Sequence, residues 1–244
     1  MADMAGQVAL VTGGVRGIGR AICERLHARG VRVAAGYSRP SEAVDKFTAD
    51  HPGSSVHQGN VGRVEDCERV IQEVLDTHGK LDILVNNAGI TLDKTVRKMT
   101  VEDWDRVIQV NLSGAFYLSR AILQHMLDRG SGRIINISSI IGESGNIGQA
   151  NYAAAKAGLF GLTMSLAQET ARKGITVNSV APGYISTEMV QAVPQEALAK
   201  VVAKIPVGRL GEPDEIARVV ELLADPDSGF ITGQLYSVNG GQYM

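Results

Sequence analysis

Short apolar segments with the character of β-strands alternate with helix-like segments from one end of this 244-residue sequence to the other. The strand-like segments cover residues 7–12, 31–37, 54–59, 81–87, 133–138, 175–181 and 234–238. The helix-like segments cover residues 18–29, 41–50, 64–78, 103–129, 151–173 and 212–224. Strands that alternate with helices are joined right-handedly and build a parallel sheet with helices on both faces. We therefore predict an α/β protein, a single-domain, doubly wound Rossmann fold with a seven-stranded parallel sheet over residues 1–244.

The overall composition narrows the class of function. With 44% hydrophobic and 20% charged residues the chain resembles an ordinary globular protein. Its net charge of −2 gives no reason to expect nucleic acid or an anionic membrane as a partner. Cys23 and Cys67 do not form a C-x-x-C pair, so neither a disulfide scaffold nor a metal site is expected. We see no secretory signal or membrane-spanning run, and expect a cytoplasmic enzyme or binding protein.

A glycine-rich loop follows the first strand, where a doubly wound sheet binds its ligands. The stretch reads T12-G13-G14-V15-R16-G17-I18-G19. Gly13 permits a tight turn, Gly17 lets a pyrophosphate approach the backbone, and Gly19 lets helix and strand pack closely. The free N–H groups of the helix that begins near Ile18 would face the phosphates. A glycine-rich turn without a ligand is the alternative, but the strand before it and the helix after it favour a dinucleotide.

The end of the second strand predicts which dinucleotide is bound. NAD-binding sites place an acidic residue there for the ribose 2′-hydroxyl. Here the strand ends in Tyr37-Ser38-Arg39, and Arg16 lies in the glycine loop. Two guanidinium groups and a hydroxyl suit a 2′-phosphate, so we predict NADP(H). The alternative is that Arg39 is a solvated loop residue.

Later strand ends add candidate residues. Asn60 and Val61 follow the third strand, and the fourth is followed by N86-N87-A88-G89. The small residues of N86-N87-A88-G89 permit close contact with an adenosine ribose, although this stretch alone would be only a turn. We predict that Asn60, Val61, Asn87, Ala88 and Gly89 also contact the cofactor.

Together these motifs resemble the short-chain dehydrogenase/reductase family. The resemblance spans the whole chain and rests on T12-G13-x3-G17-x-G19, N86-N87-A88-G89, Asn111, Ser139, Y152-x3-K156 and P182-G183. Within the family the sequence is most similar to the acetoacetyl-CoA reductases and the 3-oxoacyl-[acyl-carrier-protein] reductases. The segments that carry this similarity include GQANYAAAKAGL, GITVNSVAPGYISTEM and the ending SVNGGQYM.

Tyr152 and Lys156 lie four residues apart, on one face of the predicted 151–173 helix. A phenol has a pKa of about 10, and an adjacent ammonium group favours the phenolate. We therefore expect Lys156 to lower the pKa of Tyr152, which acts as the acid in ketone reduction. Ser139, thirteen residues before Tyr152, is chosen over Ser138 by the family spacing.

The resemblance implies the remaining assignments. Ser139 holds the substrate carbonyl, and Asn111 holds a water that links Lys156 to solvent. Lys156 and Tyr152 also contact the nicotinamide ribose. Residues after the sixth strand flank the nicotinamide, namely Pro182, Gly183, Ile185 and Thr187, and residues 188–211 form a substrate lid. The reaction implied is NADPH-dependent reduction of a 3-oxoacyl thioester to the (R)-3-hydroxyacyl thioester by a homotetramer.

Several alternatives remain at the level of the sequence. The chain could reduce another carbonyl, such as a sugar, a quinone or a xenobiotic ketone, or it could be a non-catalytic NADP-binding regulator. The acyl carrier is CoA or acyl carrier protein. The basic residues expected near the site to read either carrier are Arg129, Arg133, Arg172 and Lys173, which could equally be solvated surface charges.

Overall fold

The computed structural model describes residues 2–191 and 195–244. Its strands are β1 (Val8–Val11), β2 (Arg32–Tyr37), β3 (Ser55–Gln58), β4 (Ile83–Asn86), β5 (Gly132–Ile137), β6 (Ile175–Pro182) and β7 (Leu235–Val238). Its α-helices, in the part described, are α1 (Gly17–Ala28), α2 (Glu42–Asp50), α3 (Val64–His78), α4 (Val101–Ile108), α5 (Gly114–Arg129), α6 (Ile140–Ser144), α7 (Ala150–Thr170), α8 (Glu188–Gln191), α9 (Gln195–Val202) and α10 (Pro213–Ala224).

The seven strands form one parallel sheet in the order β3-β2-β1-β4-β5-β6-β7. The prediction of a seven-stranded parallel sheet is therefore confirmed. The strand order reverses between β1 and β4, and this switch point is where doubly wound sheets open a crevice for a ligand.

Helices cover both faces of the sheet, as predicted. Side chains of successive strand residues point to opposite faces. Ala9 and Val11 of β1 pack in a core with α1, α2 and α10, whereas Val8 and Leu10 pack in a second core with α3, α5 and α7. Because both faces of each central strand are buried, these strands are mostly apolar.

The long helix predicted over residues 103–129 is interrupted. A π-helical turn at Gln109–Ser113 separates α4 from α5, and the Gly114 N–H donates to Gln109 O across the widened turn. Single π turns within α-helices occur mostly at functional sites. The predicted site residue Asn111 lies in this turn.

Two smaller differences from the sequence predictions affect the site. The short helix α6 was not predicted, because its five residues, IIGES, are too few to show a helical period. Strand β6 continues through Pro182, which pairs with Val238, and does not break before it. A proline is tolerated there because it needs no ladder donor at the end of a strand.

The predicted lid region contains α8 and α9. Residues 192–194, within the predicted 188–211 segment, lie outside the described residues. No helix in the described part of the chain is long and apolar enough to cross a membrane.

Candidate active site

The glycine loop between β1 and α1 is tightly folded against the sheet. Gly13 and Gly17 have positive φ angles of 64° and 52°, which favour glycine. A Cβ atom on Gly19 would lie 2.2 Å from the Gly13 carbonyl oxygen, so no other residue fits there. Gly14, which the sequence analysis did not single out, is equally confined, because a Cβ would lie 2.8 Å from Val11 O.

The start of α1 is free to bind an anion. Arg16 is the N-cap residue and gives no side-chain capping bond, and the first turn has no acidic residue. The N–H groups of Gly17, Ile18 and Gly19 have no hydrogen-bond partner among residues 2–191 and 195–244. Unpaired N–H groups and the positive end of the helix dipole attract phosphate. These features fit the pyrophosphate of a dinucleotide.

Thr12 connects the glycine loop to the loop after β4. Its hydroxyl oxygen accepts hydrogen bonds from the N–H groups of Asn87, at 3.0 Å, and Ala88, at 2.9 Å. The Asn87 side chain donates in return to Thr12 O at 2.8 Å. The sequence analysis quoted Thr12 but gave it no role. A hydroxyl at the last position before the glycine loop was the available signal.

The glycine loop and the segments after β2, β3 and β4 carry two exposed arginines and a small cavity lined in part by apolar side chains. Ser38, Arg39 and Arg16 are exposed, and neither guanidinium group has a partner in the part of the chain that the structure describes. Asn60 is exposed, with its N–H bonded to Asp66. Val61 and Ala88 line one small cavity together with Asn111.

Ser138 and Ser139 follow β5 and have different environments. The Ser138 hydroxyl is buried and donates to the Lys156 carbonyl oxygen at 2.7 Å, which ties α7 to the sheet. The Ser139 hydroxyl accepts from the Ile141 N–H at 3.1 Å and lies close enough to the Tyr152 phenol to act on its pKa. Of the two serines, Ser139 is the one that reaches Tyr152.

Gly142 allows this arrangement. It lies in α6, and an added Cβ would stand 2.8 Å from the Lys156 carbonyl carbon. The backbone of α6 therefore rests directly on α7, which brings Ser139 at the start of α6 next to Tyr152. The sequence analysis missed Gly142 because it missed α6.

The pKa of Tyr152 differs from the expectation. Burial raises the pKa of this phenol, the Ser139 hydroxyl opposes the rise, and the nearby Asp93 carboxylate adds to it. The expected lowering of the Tyr152 pKa by Lys156 is absent in this arrangement. The Lys156 ammonium lies 5.6 Å from the centre of the Tyr152 ring and donates to Ile137 O at 2.7 Å. The phenol therefore keeps its proton at neutral pH.

Lys156 is a buried cation with no acidic partner among the residues that the structure describes. Its side chain is 3% exposed, and burial lowers the pKa of its amine to about 8. A Cβ on Gly89 would lie 3.5 Å from its Nζ and 3.1 Å from Asn111 Oδ1. Gly89, Asn111 and Lys156 therefore meet below the loop that follows β4.

Asn111 holds that loop from the other side. Its Oδ1 accepts from the Ile90 N–H at 2.8 Å, and its Nδ2 donates to Ile90 O, also at 2.8 Å. The buried Asn111 amide thus pairs with both the N–H and the C=O of Ile90, in the way that a neighbouring β-strand would. The π-helical turn directs Asn111 to this position.

The residues after β6 return to the glycine loop. A Cβ on Gly183 would lie 2.8 Å from Asn239 Cα, so Gly183 permits a close crossing with the chain after β7. Ile185 is buried and pairs with Gly211. The Thr187 methyl group would lie 3.7 Å from a Cβ on Gly17. The structure therefore brings Thr187 next to the glycine loop.

The basic residues that were expected beside the site lie at the opposite edge of the sheet. Arg129 ends α5, and Arg172 and Lys173 precede β6, so all three lie at the amino edge of the sheet, opposite Tyr152. The Arg133 guanidinium is buried there and donates to the carbonyl oxygens of Gly132, Gly174 and Pro226. Arg133 is therefore structural in this fold. The expectation was wrong because sequence position near an element does not show which edge of the sheet it reaches.

Comparison with known proteins gives consistent matches. Residues 13–242 match a family model described as "Enoyl-(Acyl carrier protein) reductase". The acetoacetyl-CoA reductase of Rhizobium meliloti (strain 1021) is 54% identical over 98% of this chain and 99% of its own. That of Shinella zoogloeoides is 52% identical over the same shares. The 3-oxoacyl-[acyl-carrier-protein] reductase FabG of Vibrio cholerae serotype O1 (strain ATCC 39315 / El Tor Inaba N16961) is 46% identical over 99% of both chains.

The buried Lys156 amine predicts a pH-dependent stability. The pKa of Lys156 falls from 10.5 in the unfolded chain to about 8 in the fold, so the folded state binds fewer protons between these values. The destabilisation is full below the folded pKa, amounts to about 3 kcal/mol, and is relieved as pH rises towards the unfolded pKa.

We expect the Lys156→Met variant to lose this pH-dependent destabilisation. The difference in free energy of unfolding between variant and wild type should shift by up to about 3 kcal/mol, in favour of wild type, between about pH 7 and about pH 10. Urea unfolding at several pH values measures it. Lys98→Met, which removes an exposed lysine, should show a constant difference. A constant difference for Lys156→Met would contradict the assignment.

Proposed function

This chain belongs to the short-chain dehydrogenase/reductase family, and we propose that it reduces the ketone of a 3-oxoacyl thioester with NADPH, giving the (R)-3-hydroxyacyl thioester. The acyl carrier is CoA or acyl carrier protein, and acetoacetyl-CoA is the first substrate to test. Relatives named for both carriers match almost the whole chain at 46% to 54% identity.

One observation carries the proposal. The Ser139 hydroxyl lies close enough to the Tyr152 phenol to act on its pKa, and the Lys156 ammonium lies 5.6 Å from the centre of the phenol ring. These three groups come from α6 and α7 and lie at the carboxyl edge of the sheet, beside the switch point. Two converging hydroxyl groups suit a carbonyl oxygen, which accepts two hydrogen bonds.

Tyr152 is the general acid in this proposal. Burial raises its pKa, so the phenol holds the proton that the carbonyl oxygen needs. Ser139 donates a hydrogen bond to the same oxygen and orients the ketone. Bound NADPH supplies the hydride, which no side chain can provide.

The proton lost by Tyr152 must be replaced from solvent. Lys156 lies near Asn111, whose side-chain oxygen accepts from the Ile90 N–H and whose side-chain nitrogen donates to Ile90 O. We assign Asn111 the water that links the Lys156 amine to solvent. An amine whose pKa is about 8 exchanges protons readily near neutral pH.

The cofactor lies across the switch point. Gly13, Gly17, Ile18 and Gly19 hold its pyrophosphate, and Asn60, Val61, Asn87, Ala88 and Gly89 line its adenosine and ribose side. Tyr152 and Lys156 hold the nicotinamide ribose, and Pro182, Gly183, Ile185 and Thr187 flank the nicotinamide. Residues 188–211 close over the substrate as a lid on this one domain.

NADP(H) is preferred over NAD(H) in this proposal because of Ser38, Arg39 and Arg16. Both arginines are exposed and have no acidic partner in the described ranges. No acidic residue follows β2 before Glu42 to bind a ribose 2′-hydroxyl. A 2′-phosphate would satisfy the two guanidinium groups.

The first prediction concerns Tyr152. Tyr152→Phe should lower kcat for acetoacetyl-CoA by about 10²- to 10⁴-fold, because the general acid is lost. NADPH binding, followed by fluorescence, should persist. Tyr117→Phe, on α5 away from these residues, should retain activity. NADPH oxidation is followed by absorbance.

A parallel assay separates ketone from enoyl reduction, the reaction in the family model's description. Crotonyl-CoA replaces acetoacetyl-CoA in the same measurement. Turnover of crotonyl-CoA without turnover of acetoacetyl-CoA would overturn the proposal, as would full activity of Tyr152→Phe.

The second prediction concerns the cofactor. Arg16→Gln and Arg39→Gln should each lower kcat/KM for NADPH by about tenfold or more, since each removes a charge-assisted hydrogen bond. Their kcat/KM for NADH should stay at the wild-type value. Arg172→Gln, an exposed arginine at the opposite edge, is the matched control. Equal wild-type efficiency with NADH and NADPH would contradict the assignment.

The protein also assembles as a homotetramer in this proposal. Large apolar side chains are exposed on two separate faces, one on α5 and α7 and the other around α10 and β7. They are Phe116 and Met164 on the first face, and Leu222, Phe230 and Leu235 on the second. Two self-complementary faces generate a closed tetramer.

Sedimentation velocity tests the assembly. We expect wild-type tetramers, and dimers for Phe116→Ser or Phe230→Ser, because each substitution weakens one of the two faces. Ile147→Ser is the matched control, since Ile147 is 90% exposed but lies in the loop before Tyr152. A monomeric wild-type protein would refute the tetramer.

A further inference from the structure

Asn151 immediately precedes Tyr152, and both the oxygen and the nitrogen of its side-chain amide are hydrogen-bonded. The residue is fully buried. Its Oδ1 accepts from the Tyr152 N–H at 2.8 Å, and its Nδ2 donates to Leu92 O and Asp103 O, both at 3.2 Å. A buried amide with both donors and its acceptor satisfied is a rigid connection.

The three partners of Asn151 belong to three elements. Tyr152 lies in the first turn of α7, Leu92 in the loop after β4, and Asp103 in the first turn of α4. The N–H groups of a first helical turn lack helical partners, and the N-cap residue Gln149 gives no side-chain capping bond. The Asn151 side chain therefore satisfies an N–H group of the first turn of α7, although Asn151 itself lies in that turn, and it also attaches this turn to the loop after β4.

The same loop is held at neighbouring positions. Asn111 pairs with Ile90, the Gln149 amide donates to the Asp93 carboxylate at 3.0 Å, and the Lys94 N–H donates to Gly148 O at 2.8 Å. Asp93 lies close enough to Tyr152 to act on its phenol electrostatically. Movement of this loop therefore changes the surroundings of the phenol.

We propose that Asn151 is a positioning residue, which sets the place of the Tyr152 phenol by joining the start of α7 to the loop at Leu92 and to α4. This inference rests on the proposed function of Tyr152 as the acid. Small displacements of a catalytic group are costly, since about 1 Å reduces a rate by about 10²-fold.

The test uses two variants that separate capping from attachment. Asn151→Ala removes all three hydrogen bonds, whereas Asn151→Asp keeps an acceptor for the Tyr152 N–H and loses both donors. We expect kcat for acetoacetyl-CoA to fall by about 10- to 100-fold in both, with KM for NADPH unchanged. A role limited to helix capping would leave Asn151→Asp at wild-type activity and would overturn the proposal.

Asn178 supplies a matched control. It is a buried asparagine on β6, whose Nδ2 donates to Ile231 O at 2.8 Å and whose Oδ1 accepts from the Gln234 N–H at 3.1 Å. Its amide likewise attaches a loop, but this loop precedes β7. Asn178→Ala should lower thermal stability and leave kcat near the wild-type value. A loss of kcat as large as that of Asn151→Ala would also overturn the proposal.

Titration of the phenol gives a readout that needs no substrate. The tyrosinate absorbance of each protein, minus that of its Tyr152→Phe counterpart, reports the pKa of Tyr152. The polar groups facing the phenol are Ser139, Asp93 and Lys156. In Asn151→Ala we expect water to enter and this pKa to fall towards its ordinary value, whereas in Asn178→Ala it should not move.

The outcomes are distinct. An unchanged Tyr152 titration in Asn151→Ala refutes the positioning role, whatever the activity. A shifted titration in a protein whose wild type does not reduce acetoacetyl-CoA supports the positioning role and removes the proposed substrate. If Asn151→Ala is recovered unfolded, Asn151→Ser, which keeps a donor, is measured in its place and should show a smaller shift in the same direction.

Discussion

The hydrogen bonds of the Thr12 hydroxyl hold together the two loops on which the site depends. β1 and β4 are neighbours in space although three helices and two strands separate them in the chain. Thr12 accepts from Asn87 and Ala88, and so fixes the glycine loop against the loop that leads to Ile90. The crevice of a doubly wound fold opens at this reversal of strand order. The phosphate end and the reactive end of the site are thereby joined by one side chain.

Buried polar side chains then place α7 on the sheet. Asn86 donates to Asn136 at 2.9 Å, Asn136 donates to Thr163 at 2.9 Å, and Ser138 donates to Lys156 O at 2.7 Å. Unpaired polar groups would be costly at this depth, so each satisfied bond permits few other positions of the helix. Tyr152 and Lys156 consequently lie on a helix whose position is set by these buried hydrogen bonds to the sheet.

Lys156 shows that the site is arranged for chemistry at a cost in stability. Its ammonium is buried with a backbone carbonyl as hydrogen-bond partner and, within residues 2–191 and 195–244, no carboxylate pairs with it; burial lowers its pKa to about 8. Burial raises the pKa of Tyr152 at the same time. Burial thus moves the pKa values of the two groups apart, so that the phenol keeps its proton near neutral pH while the amine can exchange one. Catalytic sites commonly retain such locally unfavourable charges.

Local patterns in the sequence are enough to predict the alternation of strands and helices along the chain, the glycine loop and the spacing of Tyr152 and Lys156, because these depend on periodicity and on steric limits within a few residues. The same patterns do not reveal the roles of Thr12, Gly142 or Asn151, and they led to Arg129 and Arg172 being expected at the wrong edge of the sheet. Those features, and likewise the raised pKa of Tyr152, arise from contacts made in the folded chain. Burial and hydrogen bonds between distant segments set these properties, and neither is encoded in local spacing.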